Sequence, residues 1–378
     1  MQKIIIIGPA HPLRGGLASF NERMALEFKK DNNQVQLFSF SLQYPSLLFP
    51  GKTQFSTEPP PENIEIHSII NSINPLNWIG VGNRIRKIRP DIVIFRYWIP
   101  FMSPCFGTIA RIIRKNNFTK ILCIADNILP HEKRLADKLL TNYFIKPIDG
   151  FITMSDKVTN DLLQFHSDKP IKHAIHPLYD NFGSLISKEV AREKLNLDKS
   201  KKILLFFGFI RAYKGLDLLI KAMADTRIKS ENHLLLIAGE FYQDKQPYLD
   251  LIKSLQLEGS IKIVDDFIPD SMVRYYCCAA DVIVQPYKNA TQSGVTPLAY
   301  HFEKPMIVTN VGGLPSMVVD GETGLVCEPN PESIADQIVN YFQKGEEFFI
   351  PSLIKEKTKF SWYNFTKNIQ SLANDIQK

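Results

Sequence analysis

The chain has 378 residues, 44% of them hydrophobic and 22% charged, with a formal net charge of +6. That length suits two domains, and the balance of apolar and charged residues excludes global disorder. The positive excess is mild and is not gathered into an arm, which argues against a nucleic-acid partner. Short apolar runs then alternate with helical stretches from end to end. A first series of predicted strands is Lys3–Ile7, Val35–Phe40, Ile92–Phe95, Ile121–Ala125 and Phe151–Met154. A second is Ile203–Phe207, Leu234–Ala238, Ile261–Val264, Val282–Gln285 and Met306–Thr309. Continuous apolar strands separated by helices imply parallel sheets covered on both faces, and two series imply two doubly wound domains. The seam falls near His176–Gly183, and Phe360–Ile376 reads as an amphipathic helix.

Between these elements lie loops with chemical potential. The first strand runs into Gly8-Pro9-Ala10-His11-Pro12-Leu13-Arg14-Gly15-Gly16, where a glycine pair opens a helix. Such a turn lets a phosphate or sugar approach the backbone. It lacks the G-x-G-x-x-G spacing of dinucleotide folds, which disfavours hydride transfer. Leu42–Gly51 is apolar but broken by Pro45 and Pro50, so it is no regular helix. It reads as a packed loop, or alternatively as an apolar lip for a lipid-linked acceptor. Arg84, Arg86, Lys87 and Arg89, then Arg111, Arg114, Lys115 and Lys120, form basic clusters. These read as solvated faces, or as attractors of anionic lipid or a phosphorylated acceptor. Five cysteines, an odd number without metal-ligand spacing, sit mostly in apolar segments and fit a reducing cytoplasm. Asp265-Asp266 lacks partner ligands, so no metal site is expected. No apolar run is long enough to cross a bilayer, and the N-terminal one is too short for a signal peptide. The chain is therefore expected to be soluble or at most a surface binder.

The most informative stretch is Tyr287–Val326. A strand ends in the small-residue loop Thr291-Gln292-Ser293-Gly294, a helix is predicted over Val295–Phe302 with Pro297 in its first turn, and a second strand ends in Gly312-Gly313-Leu314-Pro315. A loop without bulky side chains before a helix is a phosphate cradle. This segment, with Asp320-Gly321-Glu322-Thr323-Gly324-Leu325, resembles the donor-binding region of the retaining GT-B glycosyltransferases of family 4, the glycosyl transferases group 1. Gly208-Phe209-Ile210-Arg211-Ala212-Tyr213-Lys214-Gly215 is similar to that family's G-R-x-x-x-x-K-G. Ala238-Gly239-Glu240 and Ala279-Ala280-Asp281-Val282 extend the likeness over nearly the whole chain.

The resemblance implies a GT-B fold: two Rossmann-like domains, 1–180 and 181–357, facing across a cleft, with helix 358–378 returning to the first. The first would hold the acceptor and the second the nucleotide-sugar donor. Arg211 and Lys214 would neutralise the leaving diphosphate, matching the family's Arg and Lys. Gly15, Gly16 and Arg14 would approach it from the first domain. Gly208, Glu240, Tyr287, Thr291, Gln292, Ser293, Gly294 and Val295 would line the donor site, the last two through backbone N–H groups. Asp126 and His131 are candidates for acceptor orientation or proton handling. The implied reaction moves a hexose-type sugar, with retention, from a nucleoside-diphosphate sugar to a saccharide or lipid-linked acceptor. It would serve surface polysaccharide or glycolipid biosynthesis in the cytoplasm, with peripheral contact at the inner membrane face. It needs neither metal nor cofactor beyond the co-substrate, and no nucleic acid.

Two departures from the family stand out. Its two glutamates, with seven residues between them, fall in register on Thr291 and Ala299, and a third is replaced by Ser316. A His common at the end of the strand 121–125 is Ala125 here. Lost carboxylates weaken or alter nucleoside recognition. Two alternatives therefore stand beside transfer. One is a degenerate GT-B protein that binds a sugar or partner without turnover. The other is a different GT-B activity such as a phosphorylase or an epimerase.

Overall fold

The structure is a computed structural model that describes residues 1–45, 49, 51–128, 137–165, 168–291 and 293–377. The chain divides into two compact units, Met1–His176 with Ser361–Lys378, and Pro177–Phe360.

In the first unit, strands β1 (Lys3–Ile7), β2 (Gln34–Leu42), β3 (Glu65–Asn71), β4 (Ile92–Tyr97), β5 (Lys120–Ala125), β6 (Gly150–Thr153) and β7 (Ile171–His173) form one parallel sheet in the order β3-β2-β1-β4-β5-β6-β7. Ile4–Ile7 and Val93–Phe95 are wholly buried. Each such side chain contributes about 1.5–3 kcal/mol when removed from water, and helices on both faces are what remove it. The last helix, Trp362–Asp375, is capped by the Ser361 hydroxyl and packs in this unit, where Phe20 meets Trp362 and Phe365 edge-on at 4.8 and 5.5 Å.

In the second unit, β8 (Lys202–Phe207), β9 (His233–Ala238), β10 (Ile261–Val264), β11 (Val282–Gln285), β12 (Met306–Thr309) and β13 (Gly324–Cys327) form a parallel sheet in the order β10-β9-β8-β11-β12-β13. Both sheets reverse direction of growth once, between β1 and β4 and between β8 and β11. In open α/β sheets, ligands bind outside the carboxyl ends of the strands at such switch points.

Three strands escape the sequence reading. β3 and β7 are edge strands with mixed polarity, and β7 has only three residues. β13 begins within the stretch read as a D-G-x-T-G-x-L turn and continues to Cys327. Asp320 Oδ1 accepts the Val326 N–H at 2.8 Å, and the Tyr300 hydroxyl donates to Thr323 at 3.0 Å, so that turn delivers the edge strand to β12. The five cysteines are all buried, and burial raises their thiol pKa values, that of Cys327 to about 12.

Candidate functional site

In the second unit two loops meet at the β8/β11 switch. After β8, Gly208 leads to Arg211, a 3-10 turn at Ala212–Lys214, and Gly215 in the left-handed region at φ +68°. A Cβ on Gly215 would lie 1.9 Å from the Pro286 carbonyl oxygen, so only glycine lets this turn press against the end of β11. The Lys288 N–H donates to the Tyr213 carbonyl at 2.7 Å and closes the contact. Lys214 is thereby buried, its ammonium 5.8 Å from the Tyr287 ring centroid. Burial, then the Arg211 charge, lowers its pKa to about 7. A lysine held half-charged at neutral pH is poised for a negative ligand that would restore its proton.

Arg211 is exposed, with its guanidinium 5.1 Å over the Tyr242 ring. One correction concerns its place in the motif. Counted from Gly208, the pattern's Arg falls on Phe209, and Arg211 stands two residues beyond. Phe209 instead stacks on Tyr242 with centroids 4.3 Å apart. Arg211 thus adjoins Lys214 by the turn, not by the register of the motif.

After β11, the loop is held from below. The Thr309 hydroxyl donates to the Tyr287 carbonyl at 2.6 Å, and the Tyr287 and Ser293 hydroxyls lie 3.2 Å apart. The Val295 N–H, expected to face a phosphate, donates at 3.2 Å to Ser293 Oγ at the start of the helix Val295–His301. Gly294 precedes that helix, and Gln292 lies outside the described residues. Thr291 and Ser293 are buried, as are Glu240 and Tyr287. Ala299, in register with a family glutamate, is fully buried on the helix. Gly312 closes the loop from the β12 side. It has φ +55°, and an added Cβ would sit 1.7 Å from the Ala290 carbonyl oxygen. Gly312→Ala is expected to cost about 2–4 kcal/mol and to displace the 290–294 loop. Chemical denaturation, with ligand response as the second readout, measures both.

In the first unit, the loop after β1 is pinned at each step. The Ala10 N–H donates to Ser39 Oγ at 2.9 Å, Asn21 Nδ2 donates to the Pro9 carbonyl at 2.8 Å, and the His11 N–H donates to Glu22 at 2.7 Å. The Arg14 N–H donates to the Gln54 carbonyl at 3.0 Å. This fixes Gly15, at φ +104°, as the cap of the helix Gly16–Lys30, with Gly16 exposed. Asp126 is not an available base. Arg96 Nε and Nη2 donate to its two oxygens, both at 2.6 Å, and both side chains are buried. His131 lies outside the described residues, as do Ser46, Leu47, Leu48 and Pro50 of the apolar segment. Among the described residues, no cluster of three His, Cys, Asp or Glu could hold a metal ion.

Two doubly wound sheets, one carrying a buried lysine and an exposed arginine at its switch point, define a Rossmann-like protein. The fold is GT-B, and residues 187–347, within the second unit, match the family model described as glycosyl transferases group 1. A D-inositol 3-phosphate glycosyltransferase of Corynebacterium diphtheriae is 23% identical over 258 residues, 65% of this chain and 60% of that protein. The chain spans about half to three-fifths of the length of the curated relatives it matches. Among solved structures, sucrose-phosphate synthase of Thermosynechococcus elongatus superposes with a TM-score of 0.75 at 16% identity, covering 99% of this chain and 98% of that one. HepE of Anabaena, in complex with UDP-glucose, superposes with a TM-score of 0.74 at 17% identity, each chain covered to 99%.

Proposed function

We propose that this protein is a glycosyltransferase that moves a hexose-type sugar, with retention, from a nucleoside-diphosphate sugar to a saccharide or lipid-linked acceptor. The observation that carries the proposal is the buried Lys214 beside Arg211 at the β8/β11 switch, inside the segment that matches the group 1 model. Glycosyl transfer leaves negative charge on the departing diphosphate. A cation already desolvated and fixed by Gly215 and Pro286 stabilises that charge without reorganisation at the moment of reaction. Arg211 adds a planar donor pair that suits phosphate oxygens. The diphosphate oxygen then accepts the acceptor's proton, so no protein base is needed, consistent with both Asp126 oxygens being occupied by Arg96. With two cations in place of a metal ion, the reaction is metal-independent in this reading. The Gly15–Gly16 turn with Arg14 is a separate candidate for phosphate contact in the first unit. A cytoplasmic role in surface polysaccharide or glycolipid assembly accords with relatives named for inositol phosphate and lipopolysaccharide glycosyl transfer.

Thermal unfolding in the presence of UDP-, GDP-, ADP- and CMP-sugars tests the donor. A ligand that binds only the folded state raises the melting temperature by mass action, by about 2.7 kcal/mol of stability at a hundredfold excess over Kd. A UDP-sugar is the expected responder, given the UDP-glucose complex of the superposed HepE. No response to any nucleotide sugar would overturn the reading. The burial of Ala299 favours a second reading, binding without turnover, because the position that would carry a ribose-holding carboxylate is apolar and covered. Donor binding with no transfer to any acceptor and no hydrolysis would support it.

A further inference from the structure

Charge is divided unequally between the units. The first carries 24 Lys and Arg against 15 Asp and Glu, the second 21 against 24. Within the first unit the excess is concentrated. From Ile66 to Ala125 there are nine Lys and Arg and a single acidic residue, Asp91. This stretch builds two packed helices, Pro75–Ile88 and Ser103–Arg114, with Gly82 against Ile112.

Helix Pro75–Ile88 is set by Pro75 at its start and by Asn74, whose side chain accepts the Leu76 and Asn77 N–H groups. Its inner face buries Val81, Gly82 and Ile85. The opposite face of a surface helix is normally polar. Here it begins with Leu76, 79% exposed, and Ile79, 46% exposed, just after Ile73, 51% exposed. One and two turns further on, the same stripe changes character. Gly80 and Asn83 open a shallow depression flanked by Arg84 and Lys87. At the end of the helix, Arg89 lays its guanidinium 4.7 Å over the half-exposed Phe118 ring.

Exposed aliphatic side chains followed by a band of cations, with no acid among them, match an interface that is apolar inside and negatively charged at its surface. We propose that this helix face, with Ile73, Leu76 and Ile79 inserted and Arg86 and Lys87 at headgroup level, docks the protein on a bilayer carrying anionic lipid. The charge complementarity selects an anionic membrane over a neutral one, and the inference does not rest on glycosyl transfer. No helix among the described residues is long and apolar enough to span a membrane, so the docking is peripheral.

Flotation of the full chain with phosphatidylcholine vesicles, with and without phosphatidylglycerol, tests it. The wild type is expected to float with the phosphatidylglycerol vesicles and to be released by added salt. Leu76→Gln with Ile79→Gln, and separately Arg86→Glu with Lys87→Glu, are each expected to lower the floated fraction about tenfold. Their melting curves should match the wild type, since Leu76 and Ile79 are solvent-facing. Wild type that stays with the soluble fraction, equal flotation on pure phosphatidylcholine, or variants that float like wild type would overturn the proposal. Binding to an acidic protein or to a free phosphorylated sugar without vesicle binding would do the same.

Discussion

Replacing Lys214 by Met is expected to erase the thermal shift given by the donor nucleotide sugar and to lower the transfer rate by about 10²–10³. The argument is electrostatic. Lys214 is buried between the Gly208–Gly215 loop and Tyr287, so its ammonium is poorly hydrated until an anion arrives. With a pKa of about 7, the free protein loses that charge as pH rises through neutrality. A bound diphosphate would restore it, so binding takes up a proton. Affinity should be flat below pH 7 and fall as pH rises above it, with proton uptake at pH 8 visible by calorimetry in two buffers of different ionisation enthalpy. The stability of the ligand-free protein has the opposite trend. Its folded pKa is depressed below the unfolded value, so the folded state binds fewer protons between about pH 7 and 10.5 and this contribution grows over that window. Below pH 7 the cost of burying the charge is fully present. Lys214→Met removes that cost, so the variant should melt no lower than the wild type while failing to respond to ligand. An unchanged shift in Lys214→Met would remove the site from the β8/β11 switch.

The sheets were legible because their strands are buried on both faces and therefore spelled in continuous apolar letters. β10, β11 and β12 match the sequence reading residue for residue, and β1 does as well. β3, β7 and β13 were not: β3 and β7 mix polar and apolar residues, β7 has only three residues, and β13 starts with a glycine of the D-G-x-T-G-x-L turn. The switch-point loops were legible as chemistry because Gly208, Lys214 and Gly215 punctuate an apolar strand. Their details were not. Nothing in the spacing says that Ser293 would take the Val295 N–H, nor that the Arg211 guanidinium would lie over Tyr242. Such facts depend on which donors the folded loop leaves to satisfy one another. The basic run at 84–89 was visible, but nothing in the sequence marks Leu76 and Ile79 ahead of it as exposed. Only the fold shows that Val81 and Ile85 take the inner face of that helix.

The same limit applies to Asp126, which the family resemblance made a candidate for acceptor orientation or proton handling because it follows the strand 121–125. In the fold its two oxygens accept hydrogen bonds from a buried cation, Arg96. Arg96 is 1% exposed, its Nη1 has no hydrogen-bond partner, and its guanidinium carbon sits 3.8 Å over the Phe20 ring. Phe20 in turn meets His176 and Trp362, so the pair is set into the aromatic packing that binds the last helix to the first unit. Asp126→Ala would strand the guanidinium where water cannot reach it, and breaking a buried pair in this way costs about 3–5 kcal/mol. At roughly 2–4 °C per kcal/mol for a unit of this size, the melting temperature should fall by about 10 °C. Arg96→Met with Asp126→Leu, which removes both charges and keeps the volume, should recover most of the loss. A double-mutant cycle of melting temperatures therefore reads the pair directly. Asp126→Asn separates the structural role from the chemical one. It keeps the shape and one acceptor, so an anchoring carboxylate predicts a moderate loss of stability with transfer retained in the folded fraction. Wild-type stability combined with abolished transfer would instead return Asp126 to the reaction and require Arg96 to release it during the catalytic cycle.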